Sequence, residues 1–127
     1  MITEDYCSFE ISKLLRNKGF NEPCRAYYDM GALKEDVTVP MDWSHSNFID
    51  HISAPTLQLA MKWLREVHRI EIHIIMSELN SDNSRKYMFD IYSSDTNRDF
   101  DSIQMDGFDS YEQAAEAALK YCLTNLI

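Results

Sequence analysis

Apolar residues recur at helical spacing in three parts of the chain. The first part covers about residues 3–18 and ends at Gly19, which suits the left-handed position that follows many helices. The second begins near Pro55, a residue tolerated in a first helical turn. The third begins at Ser110, which opens a capping-box spacing, and continues to the end of the chain. The pattern therefore predicts three helices.

The second helix is apolar around most of its circumference. Trp63 widens its main stripe and leaves only a narrow polar strip. The stripe itself consists of Leu57, Ala60, Met61, Leu64 and Val67. A helix of this kind is typical of a central position covered on more than one side. We therefore expect Trp63 and Leu64 to be largely buried.

Alternation of apolar and polar residues predicts two hairpins. One is formed by Ile70–Met76 and Tyr87–Ile91, and the other by Cys24–Met30 and Asp36–Pro40. The element order is then α-β-β-α-β-β-α within a single α+β domain that covers residues 1–127. We expect one antiparallel sheet with the helices packed mainly on one face.

Two long segments have no clear period. Residues 41–54 are predicted to form a loop pinned by apolar side chains, and residues 93–109 a second, acidic loop with a short strand near Ile103. Loops of this length inside a compact domain are often functional. Both segments therefore supply candidate functional residues.

Composition indicates an ordinary globular protein that carries a net charge of −9. The three cysteines are odd in number and form no CxxC, so free thiols in a reducing compartment are expected. No leader peptide is visible, and the longest apolar run, Ile74–Met76, is far too short for a membrane span. The prediction is a cytoplasmic protein without membrane contact.

The negative charge is concentrated after Tyr87, where eight acidic residues face only two basic ones, Arg98 and Lys120. Phosphate backbones bind through lysine and arginine. Direct binding of nucleic acid is therefore not expected, and a protein is the predicted partner.

Several strings carry a resemblance. They include Ala54-Pro55-Thr56 and, most distinctively, the six residues from Trp63 to His68. With these strings the chain resembles a group of short, uncharacterised proteins of gut anaerobes, many of them encoded in phage or prophage regions. The resemblance implies a bacterial or phage origin. It implies no activity and no functional residues.

Residues 42–51 gather Asp42, His45, Asp50 and His51. Histidine and carboxylate side chains can bind zinc or perform acid–base chemistry. The spacing of the two histidines fits no closed metal motif, and no third ligand is identifiable. Hydrogen bonds that stabilise the loop are the alternative interpretation.

The acidic loop has a spacing like that of a calcium-binding loop, but Phe100 occupies the position where such a loop requires glycine. No phosphate-binding or hydrolase motif occurs elsewhere in the chain. We expect no cofactor.

Aromatic residues among acids suggest a surface that binds protein, because aromatic side chains are enriched at interface hot spots. The candidate binding residues are Asp95, Asp99, Phe100, Asp101, Phe108 and Trp43. The preferred hypothesis is a non-enzymatic interaction module of phage or mobile-element origin. Two alternatives remain open: a metal-dependent or acid–base enzyme that uses residues 42–51, and an acidic DNA mimic that inhibits a basic host protein. The oligomeric state stays undetermined.

Overall fold

The computed structural model describes residues 1–35, 37–79, 81–95 and 102–127, without the side chains of residues 78 and 79. The three helices are α1 (Phe9–Asn17), α2 (Leu57–His68) and α3 (Tyr111–Tyr121). The six strands are β1 (Tyr27–Asp29), β2 (Ala32–Lys34), β3 (His51–Ser53), β4 (Ile70–Leu79), β5 (Arg85–Ser93) and β6 (Ile103–Phe108). A 3₁₀ turn at Trp43–His45 and a π-helical end at Cys122–Leu126 complete the structure. The α+β class is confirmed.

The strands form two antiparallel sheets of three strands each, where one sheet was predicted. The first sheet has the order β2-β1-β3 and the second the order β4-β5-β6. Each sheet consists of a hairpin and one further strand, β3 in the first sheet and β6, the short strand predicted near Ile103, in the second. In both sheets the added strand pairs with a strand of the hairpin rather than with the other sheet.

Helix α1 begins six residues later than predicted. Ser8 is its N-cap, and the Ser8 hydroxyl accepts a hydrogen bond from the Ile11 N–H at 3.2 Å. The preceding residues run beside the entrance to α2: the Cys7 N–H donates to the Pro55 carbonyl at 2.8 Å, and the Leu57 N–H donates to the Asp5 carbonyl at 2.9 Å. Pairing with a distant segment has therefore overridden the local helical pattern.

The predicted end of α1 is confirmed in detail. Gly19 has a φ of 91°, and its N–H donates to the Arg16 carbonyl at 3.0 Å. The Phe20 N–H donates to the Leu15 carbonyl at 3.0 Å. These two hydrogen bonds define a Schellman motif, which satisfies carbonyls that a helix end leaves open.

The first hairpin turns earlier than predicted. Asp29 pairs with Ala32, so the turn consists only of Met30 (φ 52°) and Gly31 (φ 85°). Two consecutive positive φ values are typical of a type I′ turn. The predicted second strand at residues 36–40 is wrong, because the tight turn places β2 before it; of that range the structure describes residues 37–40. The predicted loop at residues 41–54 also contains β3, which pairs with β1.

The second sheet follows the predicted alternation and extends it. β4 pairs with β5 from Ile70↔Ser93 to Leu79↔Arg85. The predicted acidic loop is shorter than expected, because residues 103–108 form β6 along the other edge of β5.

Helices α2 and α3 pack on one face of the second sheet. The main core lies between them and contains Trp63 and Leu64, which are 5% and 0% exposed, as predicted. Val67, predicted on the same stripe, is 55% exposed, because it lies at the end of α2 beyond the core. Among the described residues, no helix has the length and apolar character needed to cross a membrane.

Candidate functional site

The second sheet has one covered face and one exposed face. Residues such as Ile70, Phe89 and Ile91 are buried against the helices. The residues between them lie on the opposite side, because successive side chains of a strand alternate between the faces of its sheet. We call this side the open face; it comprises Glu71, His73 and Ile75 on β4, Met88, Asp90 and Tyr92 on β5, and Gln104 and Asp106 on β6.

Asp90 lies at the centre of the open face. It pairs with His73 on β4 and with Gln104 on β6. Although it belongs to the exposed side of the sheet, Asp90 is only 6% exposed. The Tyr92 hydroxyl donates to its Oδ2 at 3.3 Å, whereas its Oδ1 has no hydrogen-bond partner within the described ranges. A buried carboxylate oxygen in this state is uncommon in folded proteins.

Two rings stand beside this carboxylate. The centroids of the His73 and Tyr92 rings are 5.2 Å apart, and His73 Nε2 lies 3.8 Å from a Glu71 carboxylate oxygen. The negative charge of Asp90 is the main cause that raises the pKa of the Tyr92 phenol above its ordinary value; burial and the hydrogen bond between the two side chains add to it. The phenol therefore stays protonated and continues to donate to Asp90 at neutral pH.

The open face also carries exposed apolar groups. Ile75 is 40% exposed and Tyr92 is 38% exposed. Ile75 pairs with Met88 on β5. A shallow cavity of about 220 Å³ lies next to this pair, lined by Met88, Gln104, Met105 and Asp106. Acidic and apolar groups are thus combined on one surface.

The charge of the open face is mainly negative. Three of the eight residues named above are acidic. By the same alternation Lys86 of β5 also lies on this side, at the end of the sheet, where it is engaged in an ion pair with Asp109. The surface is therefore complementary to a positively charged ligand.

A larger groove, of about 740 Å³, lies between the N-terminal segment and the first sheet. Tyr28 contributes to its wall, and the Tyr28 hydroxyl already donates to the Cys7 carbonyl at 2.7 Å. None of the residues that line this groove has a buried polar atom without a partner. The walls of this groove therefore contain no buried polar atom that would need a ligand as its hydrogen-bond partner.

The sequence-predicted acidic surface lies largely outside the described residues. Asp99, Phe100 and Asp101 belong to that part of the chain. Asp95 is half-buried, and its N–H donates to the Ser93 hydroxyl at 3.1 Å. Phe108 lies on β6, half-buried, and stacks on Phe89 with a centroid distance of 5.7 Å. Its side chain thus packs toward the helices, and its role in binding stays a prediction.

Trp43 is engaged in contacts within the chain. Its ring stacks on Tyr27 with a centroid distance of 4.2 Å, and its indole N–H donates to the Cys24 carbonyl at 2.8 Å. Its backbone N–H donates to the Ser53 hydroxyl at 2.9 Å. These contacts anchor the 3₁₀ turn to the first sheet, and a binding role for Trp43 also stays a prediction.

The four polar residues of the 42–51 segment do not converge. Asp42 caps the 3₁₀ turn, and its carboxylate lies 2.9 Å from His45 Nδ1. His51 instead lies 3.7 Å from an Asp29 carboxylate oxygen, with its ring stacked on Phe48. Asp50 is exposed. In the part of the chain that the structure describes, no three histidine, cysteine or acidic residues are arranged to hold a metal ion.

The thiols of Cys7 and Cys24 are unreactive at neutral pH. Both are buried, as is Cys122, and the three cysteines form no disulfide among the described residues. Burial, the largest cause, raises the pKa of Cys24 to about 12 and that of Cys7 well above its ordinary value. Because the thiolate is the reactive form, neither thiol is a nucleophile at neutral pH.

Neither Asp90 nor Tyr92 is among the binding residues predicted from the sequence. The alternation in β5 places both on the polar side of the strand, and that was the available signal. It does not distinguish an exposed carboxylate from one enclosed by neighbouring strands. Comparison of the chain with protein-family models, with curated proteins and with solved structures finds no match.

Proposed function

We propose that this protein is a non-enzymatic interaction module that binds a basic protein through the open face of its second sheet. One observation carries the proposal. The sheet face opposite α2 and α3 is exposed and is both apolar and acidic. At its centre lies the buried carboxylate of Asp90, one oxygen of which has no hydrogen-bond partner in the part of the chain that the structure describes.

The shape of the surface favours a macromolecule over a small ligand. Small-molecule sites are enclosed clefts of roughly 300–1,000 Å³. The cavity on the open face is smaller than this, at about 220 Å³, and it is shallow. A flat sheet face with exposed apolar groups such as Ile75 and Tyr92 matches the contact surface of another protein.

The charge of the surface favours a basic partner. Glu71, Asp90 and Asp106 would attract lysine and arginine side chains and repel a phosphate backbone. The rest of the protein adds to this field, because the net charge of the chain is −9. Association should therefore be steered by long-range attraction and weakened by salt.

The alternative of an enzyme at residues 42–51 receives less support. The side chains that suggested it are used in capping and stacking contacts of the first sheet. The alternative of a DNA mimic shares the acidic surface and differs in which site of the partner is occupied.

A pair of photo-crosslinking variants tests the proposal. A photoreactive amino acid is placed at Ile75, on the open face, or at Val67, an exposed residue of α2 on the covered side of the sheet. Each variant is irradiated in lysate of the natural host, and products are identified by mass spectrometry. We expect position 75, and not position 67, to yield one dominant basic protein, with a yield that falls as salt rises.

Equal products from both positions, or an acidic partner, would contradict the proposal. The recovered partner also separates the alternatives. If duplex DNA competes with the interaction, the partner's DNA-binding site is occupied and the DNA-mimic function is supported. If it does not, the module binds another basic surface.

A further inference from the structure

The buried carboxylate at the centre of the open face has an oxygen that accepts no hydrogen bond within the described residues. We propose that Asp90, walled by Tyr92 and His73, is a socket for one arginine side chain of the partner. The inference rests on the proposed function and specifies how the open face recognises its partner.

Asp90 can accept more hydrogen bonds than the described part of the chain donates to it. An ionised carboxylate has about four acceptor positions on its two oxygens. The Tyr92 hydroxyl uses one of them, on Oδ2, and Oδ1 accepts nothing within the described ranges. The described part of the chain places no lysine, arginine or histidine nitrogen within ion-pair distance of Asp90. A cationic donor from a partner would satisfy the capacity that the described residues leave unused.

The site combines a carboxylate with two aromatic rings. The His73 and Tyr92 rings, 5.2 Å apart, lie on adjacent strands next to the carboxylate. A guanidinium group is planar, stacks on aromatic faces and donates two parallel hydrogen bonds to a carboxylate. An ammonium group is not planar and cannot donate two parallel hydrogen bonds to one carboxylate. The combination of carboxylate and flat rings thus favours arginine over lysine.

The side chains around Asp90 and the two rings are polar. Gln104 faces Asp90 from β6, and Glu71 lies beyond His73 on β4. Both can accept the remaining N–H groups of a guanidinium, which has five donors. A divalent ion would need several carboxylate or carbonyl ligands together. Among the described residues, no three histidine, cysteine or acidic side chains are arranged to hold a metal ion.

The test uses two small probes of the same shape. N-acetyl-arginine methylamide carries a guanidinium, and N-acetyl-citrulline methylamide is its neutral counterpart. Each is titrated at constant ionic strength into the ¹⁵N-labelled full chain, and amide shifts are followed by NMR. We expect the arginine probe to shift the signals of residues 73, 90 and 92 and to bind at least about tenfold more tightly than the citrulline probe.

Variants test whether the Asp90 carboxylate causes the preference for the arginine probe. Asp90→Asn should abolish the preference for arginine, whereas the matched charge removal Glu66→Gln should change it by no more than about twofold, because Glu66 is exposed on α2, on the covered side of the sheet. Tyr92→Leu provides a second variant should Asp90→Asn fail to fold. It removes the ring and the hydroxyl, and it should lower the affinity for the arginine probe several-fold.

Three results would overturn the socket. They are an equal response to the arginine and citrulline probes, an equal response to N-acetyl-lysine methylamide, and shifts at residues 73, 90 and 92 that magnesium chloride alone reproduces.

The failure of the socket is distinguishable from the failure of the proposed function. If the Asp90→Asn variant still cross-links to the partner from position 75 with full yield, the socket is wrong and the function stands. If the arginine preference holds but position 75 yields no partner, the function is wrong and the socket stands.

Discussion

The carboxylate of Glu116 on α3 accepts two hydrogen bonds from Ser8 at the start of α1, one from the backbone N–H at 2.8 Å and one from the hydroxyl at 3.0 Å. Ser8 is also the N-cap of α1. A residue far along the chain therefore completes the cap of the first helix. It ties the two ends of the protein together and fixes where α1 begins.

Loss of this carboxylate should destabilise the protein. Glu116→Ala leaves the Ser8 donors without their acceptor, and hydrogen bonds to a charged group contribute about 1.5–3 kcal/mol when buried. Because this contact is partly exposed, we expect the free energy of unfolding to fall by about 1–2 kcal/mol. Urea denaturation measures it, with Glu66→Ala on α2 as the exposed control. Equal, small effects of both substitutions would show that Glu116 does not hold α1.

The centre of the core should be far more sensitive than its edge. Leu64 is completely buried between α2 and the second sheet, so Leu64→Ala should lower the free energy of unfolding by roughly 2–5 kcal/mol. Val67, 55% exposed on the same helix, supplies the matched control, and Val67→Ala should cost less than about 0.5 kcal/mol. A cost for Leu64→Ala as small as that of the control would place α2 at the periphery.

The turn of the first hairpin offers a stabilising substitution. Met30 has a φ of 52° and is 83% exposed, so its side chain contributes little packing while its backbone is strained. Asparagine tolerates this conformation and is preferred before glycine in a type I′ turn. We expect Met30→Asn to raise stability by about 0.5–1 kcal/mol, measured as an increase in Tm.

Gly31→Ala is the converse substitution, because the φ of 85° at Gly31 is unfavourable for alanine. It should lower Tm. If Met30→Asn also lowers Tm, the turn does not have the type I′ geometry.

The buried thiols should make stability fall at high pH. The pKa of Cys24 is raised by burial from the ordinary value of 9.0 to about 12. Between these values the unfolded chain loses the thiol proton and the folded chain keeps it, so the free energy of unfolding falls by up to about 1.4 kcal/mol per pH unit from this group. Below pH 9 the contribution is fully retained.

Denaturation at pH 8 and pH 10.5 measures this effect in the parent and in Cys24→Ala. Lysine and tyrosine residues titrate in the same range, so the informative quantity is the difference between the two proteins. The parent should lose more stability than the variant between the two pH values. An equal loss would mean that the Cys24 thiol is accessible and ionises in the folded state.

Local signals in the sequence were sufficient to predict helix ends that are stabilised by residues of the same helix. The cap at Ser110 and the left-handed Gly19 act within one turn of their own helix, so the start of α3 and the end of α1 were both predicted. The alternation of β4 and β5 likewise records which side of a strand is buried, and the structure follows it from Ile70 onward. The α+β class follows from the sum of these signals.

The short strands required partners that no local pattern reveals. β3 has three residues and exists because it pairs with β1, more than twenty residues earlier in the chain. β6 forms along an edge of β5 that only the folded sheet provides. A short strand was predicted near Ile103 and is confirmed as β6, but the sequence of β3 reads as a loop, because three residues carry too little periodicity to outweigh their polar neighbours.

Alternation of side-chain direction along a strand is enough to predict that Asp90 lies on the polar side of β5. It does not predict that the carboxylate is enclosed. That burial depends on the central position of β5 and on His73 and Gln104, which the antiparallel registers bring beside Asp90 from two other strands. Register is a property of the assembled sheet, so the Asp90 oxygen that lacks a partner among the described residues is found only once the three strands are paired.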